Sequence, residues 1–162
     1  MKIKTTNKYK ADVDAVFGHF TDPEFVKARA EAIGARNVHV KVEKNGDAVV
    51  ITVQREIRSD APGALKKFVP EWSPSKQVET WKVKPGGPYL GKAAVEVEGV
   101  PVSVRSRMKL AAGKEGGSVM LIETETKSSV PLVGGKLADF AAGTAEETLK
   151  REYEFNKTQI DG

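Results

Sequence analysis

The chain has no cysteine and only two histidines, His19 and His39, among its 162 residues. The missing thiols exclude disulfide frameworks, thiolate zinc sites, cysteine nucleophiles and iron–sulfur clusters. The two histidines fit no short metal-ligand spacing, so neither a metal nor a cofactor is expected. Long apolar runs are missing too. The longest, 48–51 and 119–122, fall far below the roughly 20 residues of a membrane span. No apolar stretch follows the charged start Met1-Lys2-Ile3-Lys4-Thr5, so no secretory signal or stable membrane anchor is expected, and the cytoplasm is the default location. Basic clusters are equally scarce. The net charge of +4 comes from 26 Lys and Arg against 22 Asp and Glu, but the longest basic run is Lys66-Lys67. No aromatic residues interleave with a basic stripe, which speaks against nucleic acid as a partner. Gly134-Gly135-Lys136 lacks the spacing of a phosphate-binding loop.

What is present reads as one α+β domain spanning 1–162, with no internal repeat or linker. An extended segment over 2–9 is followed by two short helical patterns. Val13, Val16, Phe17 and Phe20 share one helical face. Thr21-Asp22-Pro23-Glu24 then punctuates the chain: Pro23 suits a first helical turn, Thr21 with Glu24 has capping-box spacing, and Asp22 is the alternative cap. Gly34 is placed to end the second helix. Beyond it the period becomes two. Val38, Val40 and Val42 alternate with polar residues, Asn45-Gly46 signals a tight hairpin, and Val49, Ile51, Val53, Arg55 and Ile57 alternate again. Residues 59–75 interrupt the pattern with three prolines around a short helix at 64–68. Strands resume at 77–84, 89–98, 100–111 and 118–130. A long helical pattern covers 132–160, and it alone is large enough to cover the sheet.

This order, together with several local motifs, resembles the START-like, birch-pollen-allergen (SRPBCC) superfamily, and within it an uncharacterised bacterial branch. The motifs are Val16-Phe17 followed by Thr21-Asp22-Pro23-Glu24-Phe25-Val26-Lys27, Ala32-Ile33-Gly34-Ala35, and Trp81 in mid-strand. Gly99-Val100-Pro101-Val102 and Pro131-Leu132-Val133-Gly134-Gly135-Lys136-Leu137 complete them. The resemblance implies a helix-grip fold: a curved antiparallel sheet of about seven strands around a long C-terminal helix, with two short helices after the first strand. It specifies fold more than activity, because related folds serve lipid carriers, hormone receptors, polyketide cyclases and chaperone regulators.

Side-chain size bears on whether helix and sheet enclose a cavity. On the last helix, Leu137, Ala138, Ala141, Ala142, Ala145 and Leu149 mark the apolar sector, and most are alanine. Tyr89, Gly91, Ala93, Val95 and Val97 share one strand face and are again mostly small. Two such walls enclose space for a small ligand or approach closely with none, and the resemblance favours the pocket. The expected wall comprises Arg55, Glu79, Trp81, Tyr89, Met108, Phe140, Ala141, Ala145 and Glu152. Arg55 and Glu79 have inward parity, and Glu152 lies in the sector of Ala141 and Ala145. Charges placed there need partners, so an internal Arg55–glutamate pair is one expectation and a polar ligand anchor the other. Desolvation shifts an enclosed carboxylate towards the range useful for proton transfer, and Glu152 is the single catalytic candidate, with Tyr89 or Arg55 stabilising an enolate.

The expected function is therefore the binding or carriage of a small, largely apolar molecule such as a lipid, isoprenoid or polyketide-like aromatic. A cofactor-independent cyclase or dehydratase using Glu152 is the alternative, and a chaperone-regulator-like interaction module the third reading. Residues 59–75, which include Trp72, form either a lid or a docked insertion.

Overall fold

The computed structural model describes residues 1–162. Strand β1 (Lys2–Tyr9) is followed by helices α1 (Val13–Phe20) and α2 (Pro23–Ala32). Six strands come next: β2 (Arg36–Asn45), β3 (Ala48–Arg58), β4 (Trp72–Lys82), β5 (Tyr89–Val97), β6 (Ser103–Ala112) and β7 (Ser118–Lys127). Helix α3 (Gly134–Asp161) closes the chain. All seven strands form one antiparallel sheet in the order β1-β7-β6-β5-β4-β3-β2. The molecule is an α+β helix-grip fold.

The local chemistry explains the boundaries. Asp12 caps α1 by accepting from the Ala15 N–H at 2.9 Å. Asp22 rather than Thr21 caps α2, accepting from the Glu24 N–H at 3.0 Å. Thr21 instead turns its hydroxyl back onto the Phe17 carbonyl at 3.0 Å and so finishes α1. Gly34 leaves α2 at a φ of +99°, a backbone region cheap only for glycine. The β2–β3 turn is the two-residue loop Gly46-Asp47, with Asn45 paired to Ala48.

Several limits differ from those expected. Strand β4 starts at Trp72, five residues earlier, because sheet pairing overrides the poor strand propensity of Ser73-Pro74-Ser75. The helix expected over 64–68 is a single 3₁₀ turn at Gly63–Leu65. Strand β6 begins at Ser103, β7 ends at Lys127, and α3 starts at Gly134.

Two apolar clusters occupy opposite ends of the sheet. At one end α1 and α2 bury Val16, Phe17, Phe20 and Val26 against Ile51, Trp81, Tyr89, Leu110 and Met120. At the other, the β3–β4 connection buries Ala61, Leu65 and Val69 against Leu137, with Phe68, Val100, Val130 and Phe140 around them. That connection is thus docked by its own apolar side chains. Helix α3 packs on β7, β1 and α2, so it lies to one side of the inner face. Between the clusters, inner-face Arg55, Gln77, Ala93, Val95, Ser106 and Met108 remain half-buried.

Candidate functional site

Along the stretch between the two clusters, both α3 and the inner face of β3–β6 keep half-buried side chains. The helix presents Phe140, Ala141, Ala145, Thr148 and Glu152, all half-buried. Ala138 and Ala142 turn instead into the packed side, where Thr126 of β7 donates to the Ala138 carbonyl at 2.8 Å. Small side chains therefore form two rows on α3. One row permits close approach to the sheet, and the neighbouring row stays half-buried.

A ladder of polar side chains crosses the sheet wall. Arg55 Nη2 donates to Gln77 Oε1 at 3.3 Å, Gln77 Nε2 donates to Glu79 Oε2 at 3.3 Å, and Trp81 Nε1 donates to Glu79 Oε1 at 2.7 Å. Strand alternation puts all four on one face. Burial pushes the Glu79 carboxyl up towards its neutral form, against the opposing pull of Arg29 and the hydrogen bond from Trp81. Burial likewise lowers the pKa of the Arg55 guanidinium, opposed mainly by Glu152.

Glu152 pairs with Arg29 of α2, not with Arg55: Arg29 Nε lies 3.1 Å from Glu152 Oε2. The guanidinium also stands over the rings of Phe20 and Phe25, at 5.7 and 5.9 Å from their centroids. Tyr89 lies at the α1 end of the sheet, away from the half-buried stretch. Its ring stacks on Phe17 at 4.0 Å and its hydroxyl donates to Asp14 Oδ1 at 2.6 Å. Burial, followed by that carboxylate, pushes its pKa up to about 12. Trp81 is fully enclosed, edge-on to Phe17 at 5.6 Å. Phe140 joins the apolar cluster that closes the far end.

Gln77, Arg29, Ser73 and Ser75 were not anticipated. Gln77 was accessible from its parity with Glu79 and Trp81, and Arg29 from its i+4 spacing to Phe25. The serines lay inside a segment that reads as loop. Ser73 Oγ and Ser75 Oγ are buried without hydrogen-bond partners, as is Arg55 Nε.

A broadly open surface hollow of about 590 Å³ is also present. It lies mainly over the outer face of β2–β5, lined by His39, Gln54, Glu56, Lys76, Glu96 and Glu98, and it also touches Arg55, Ser75 and Val97. A β-bulge between Arg36 and His39 bends the edge strand there. Its charged lining suits water better than an apolar molecule. No grouping of His, Asp and Glu is arranged to hold a metal ion, and no helix is long and apolar enough to cross a membrane.

Residues 4–160 match the model of a family described as a protein of unknown function, DUF2505. The chain belongs to that family. Its fold is shared with solved structures of low sequence identity. TTHA0849 from Thermus thermophilus matches with a TM-score of 0.64 and 12% identity, over 99% of this chain and 97% of that one. Ara h 8.0201 matches with a TM-score of 0.61 and 14% identity, over 99% and 97%. The di-domain ARO/CYC protein BexL from the BE-7585A biosynthetic pathway matches with a TM-score of 0.64 and 12% identity, over 100% of this chain and 50% of that one. These likenesses establish the helix-grip fold of this DUF2505 member. No curated protein matches the sequence.

The raised Glu79 pKa yields a stability prediction. The folded protein holds this proton to higher pH than the unfolded chain. The contribution is complete below the ordinary carboxylate range and is lost as pH rises through the raised value. Urea midpoints should therefore fall as pH rises above the ordinary carboxylate range, and Glu79→Gln should flatten that fall. Equal slopes in the two proteins would show that Glu79 stays ionised in the fold.

Proposed function

We propose that this DUF2505 domain binds a small, largely apolar molecule in the cleft between α3 and the inner face of β3–β6. The observation that carries the reading is the off-centre seat of α3. It packs on β7, β1 and α2 and leaves Ala93, Val95 and Met108 of the inner face and Ala141 and Ala145 of α3 half-buried. Contiguous apolar surface left partly open in this way is a ligand-site feature. That Ara h 8.0201 and the ARO/CYC protein BexL share the architecture agrees with a small-molecule role, with lipids, isoprenoids and polyketide-like aromatics as the candidate classes.

The alternatives draw less support. Glu152 is committed to Arg29, and the Tyr89 hydroxyl to Asp14. A cyclase or dehydratase mechanism through these two groups would have to break both contacts. For an interaction module, the outer sheet face offers two exposed leucines, Leu90 and Leu121, each paired across the sheet with Lys109. A charge between them makes a poor docking patch.

Native mass spectrometry of protein purified under mild conditions should show a co-purifying small molecule. Thermal shift against fatty acids, isoprenoids and aromatic polyketides should raise Tm for at least one class, since a ligand that binds only the folded state stabilises it. No bound mass and no shift across the panel would overturn the proposal.

A further inference from the structure

We propose that the Arg55 end of the cleft is an anion-binding subsite that takes the carboxylate of an otherwise apolar ligand. This inference rests on the cleft reading above and names the chemistry of its polar end. Arg55 has no carboxylate within ion-pair distance. The nearest candidates are engaged: Glu152 by Arg29 at 3.1 Å, and Glu79 by Trp81 and Gln77. Arg55 spends one N–H on a neutral side chain, Gln77 Oε1 at 3.3 Å, while its Nε is buried and unpartnered. Ser75 sits directly opposite Arg55 in the β3–β4 register, and Ser73 is the next inner-face residue along β4. They are 5% and 1% exposed, and neither hydroxyl has a partner.

Three unpartnered donors thus gather on one face at a guanidinium that has no ion-pair partner. Buried donors left unpaired are costly and rare in folded proteins. A group that brings only acceptors resolves all of them at once. A carboxylate does so best, because its two oxygens match the guanidinium fork and its charge balances Arg55. The other carboxylates do not oppose this. Glu152 is neutralised by Arg29, and burial favours the uncharged form of Glu79. Val95 and Val97, on the same inner face as Ser75, give the ligand's body an apolar bed.

Isothermal titration of decanoate and 1-decanol into wild type, Arg55→Gln and Ser75→Ala tests the subsite, with circular dichroism confirming that each variant is folded. Wild type should bind decanoate at least about tenfold more tightly than decanol, the scale of one charge-assisted hydrogen bond. Arg55→Gln should bring the ratio to about one while decanol affinity stays within about twofold. Ser75→Ala removes only one hydroxyl, and should lower the ratio without changing decanol binding; it carries the test if Arg55→Gln fails to fold. Equal wild-type affinities would overturn the anion subsite and leave the cleft standing. A preference that survives Arg55→Gln would also overturn it. Binding of neither probe would overturn subsite and cleft together.

Discussion

Gly91→Ala is expected to destabilise the fold by about 3 kcal/mol, the upper range for overpacking, and to lower Tm by on the order of 10 °C. Local propensity argues the other way, since glycine inside a strand is worth less than alanine by up to about 1 kcal/mol. Position decides. Gly91 lies opposite Trp81 in the β4–β5 register, and a Cβ there would stand 2.8 Å from the indole Cδ2 and Cε3. The ring has nowhere to go. It is fully buried, edge-on to Phe17 at 5.6 Å, and tied through Nε1 to Glu79 at 2.7 Å. Retreat from a new methyl would break that hydrogen bond and strand a buried carboxyl. The cost should vanish once the ring is gone: Trp81→Leu alone loses several kcal/mol, and adding Gly91→Ala should cost nothing further. Urea melts of the four proteins complete the cycle. Full additivity would show that the methyl meets something other than the indole.

The same pair shows how far the sequence could be read. Parity put Arg55 on the inward face of its strand and Glu79 with Trp81 on one face of theirs, and period-two alternation is rigid enough that no tertiary contact was needed. The 3.6-residue spacing likewise grouped Ala141, Ala145 and Glu152, which are all half-buried on α3. Two kinds of feature escaped. Ser73-Pro74-Ser75 reads as loop because nothing in it favours a strand, yet pairing with the end of β3 carries it into β4 and buries both serines. Partners distant in sequence also escaped. Asp14 meets Tyr89 across 75 positions, and Glu152 meets Arg29 rather than the Arg55 that parity suggested. Pattern says which way a side chain points. It does not say which of two inward arginines a carboxylate will reach, because that depends on where α2 and α3 cross.

That choice gives the second large effect. Arg29→Met is expected to cost about 2 kcal/mol. Breaking a fully buried pair costs more, about 3–5 kcal/mol, but these side chains keep 12% and 21% of their exposure, so water softens the loss. Arg29→Lys should recover little, because lysine lacks the planar group that lies over Phe20 and Phe25. The double variant Arg29→Met/Glu152→Met should return close to wild type, since replacing both charges leaves neither stranded. Urea midpoints read the coupling directly, and a single variant within about 0.5 kcal/mol of wild type would show the pair to be idle. The cleft supplies a readout that stability alone does not. Glu152 is paired with Arg29 while already acting on the Arg55 guanidinium, so freeing that carboxylate makes it a stronger internal counter-ion for Arg55. Arg29→Met should therefore lose the preference for decanoate over decanol although Arg55 is untouched, and the double variant should regain it.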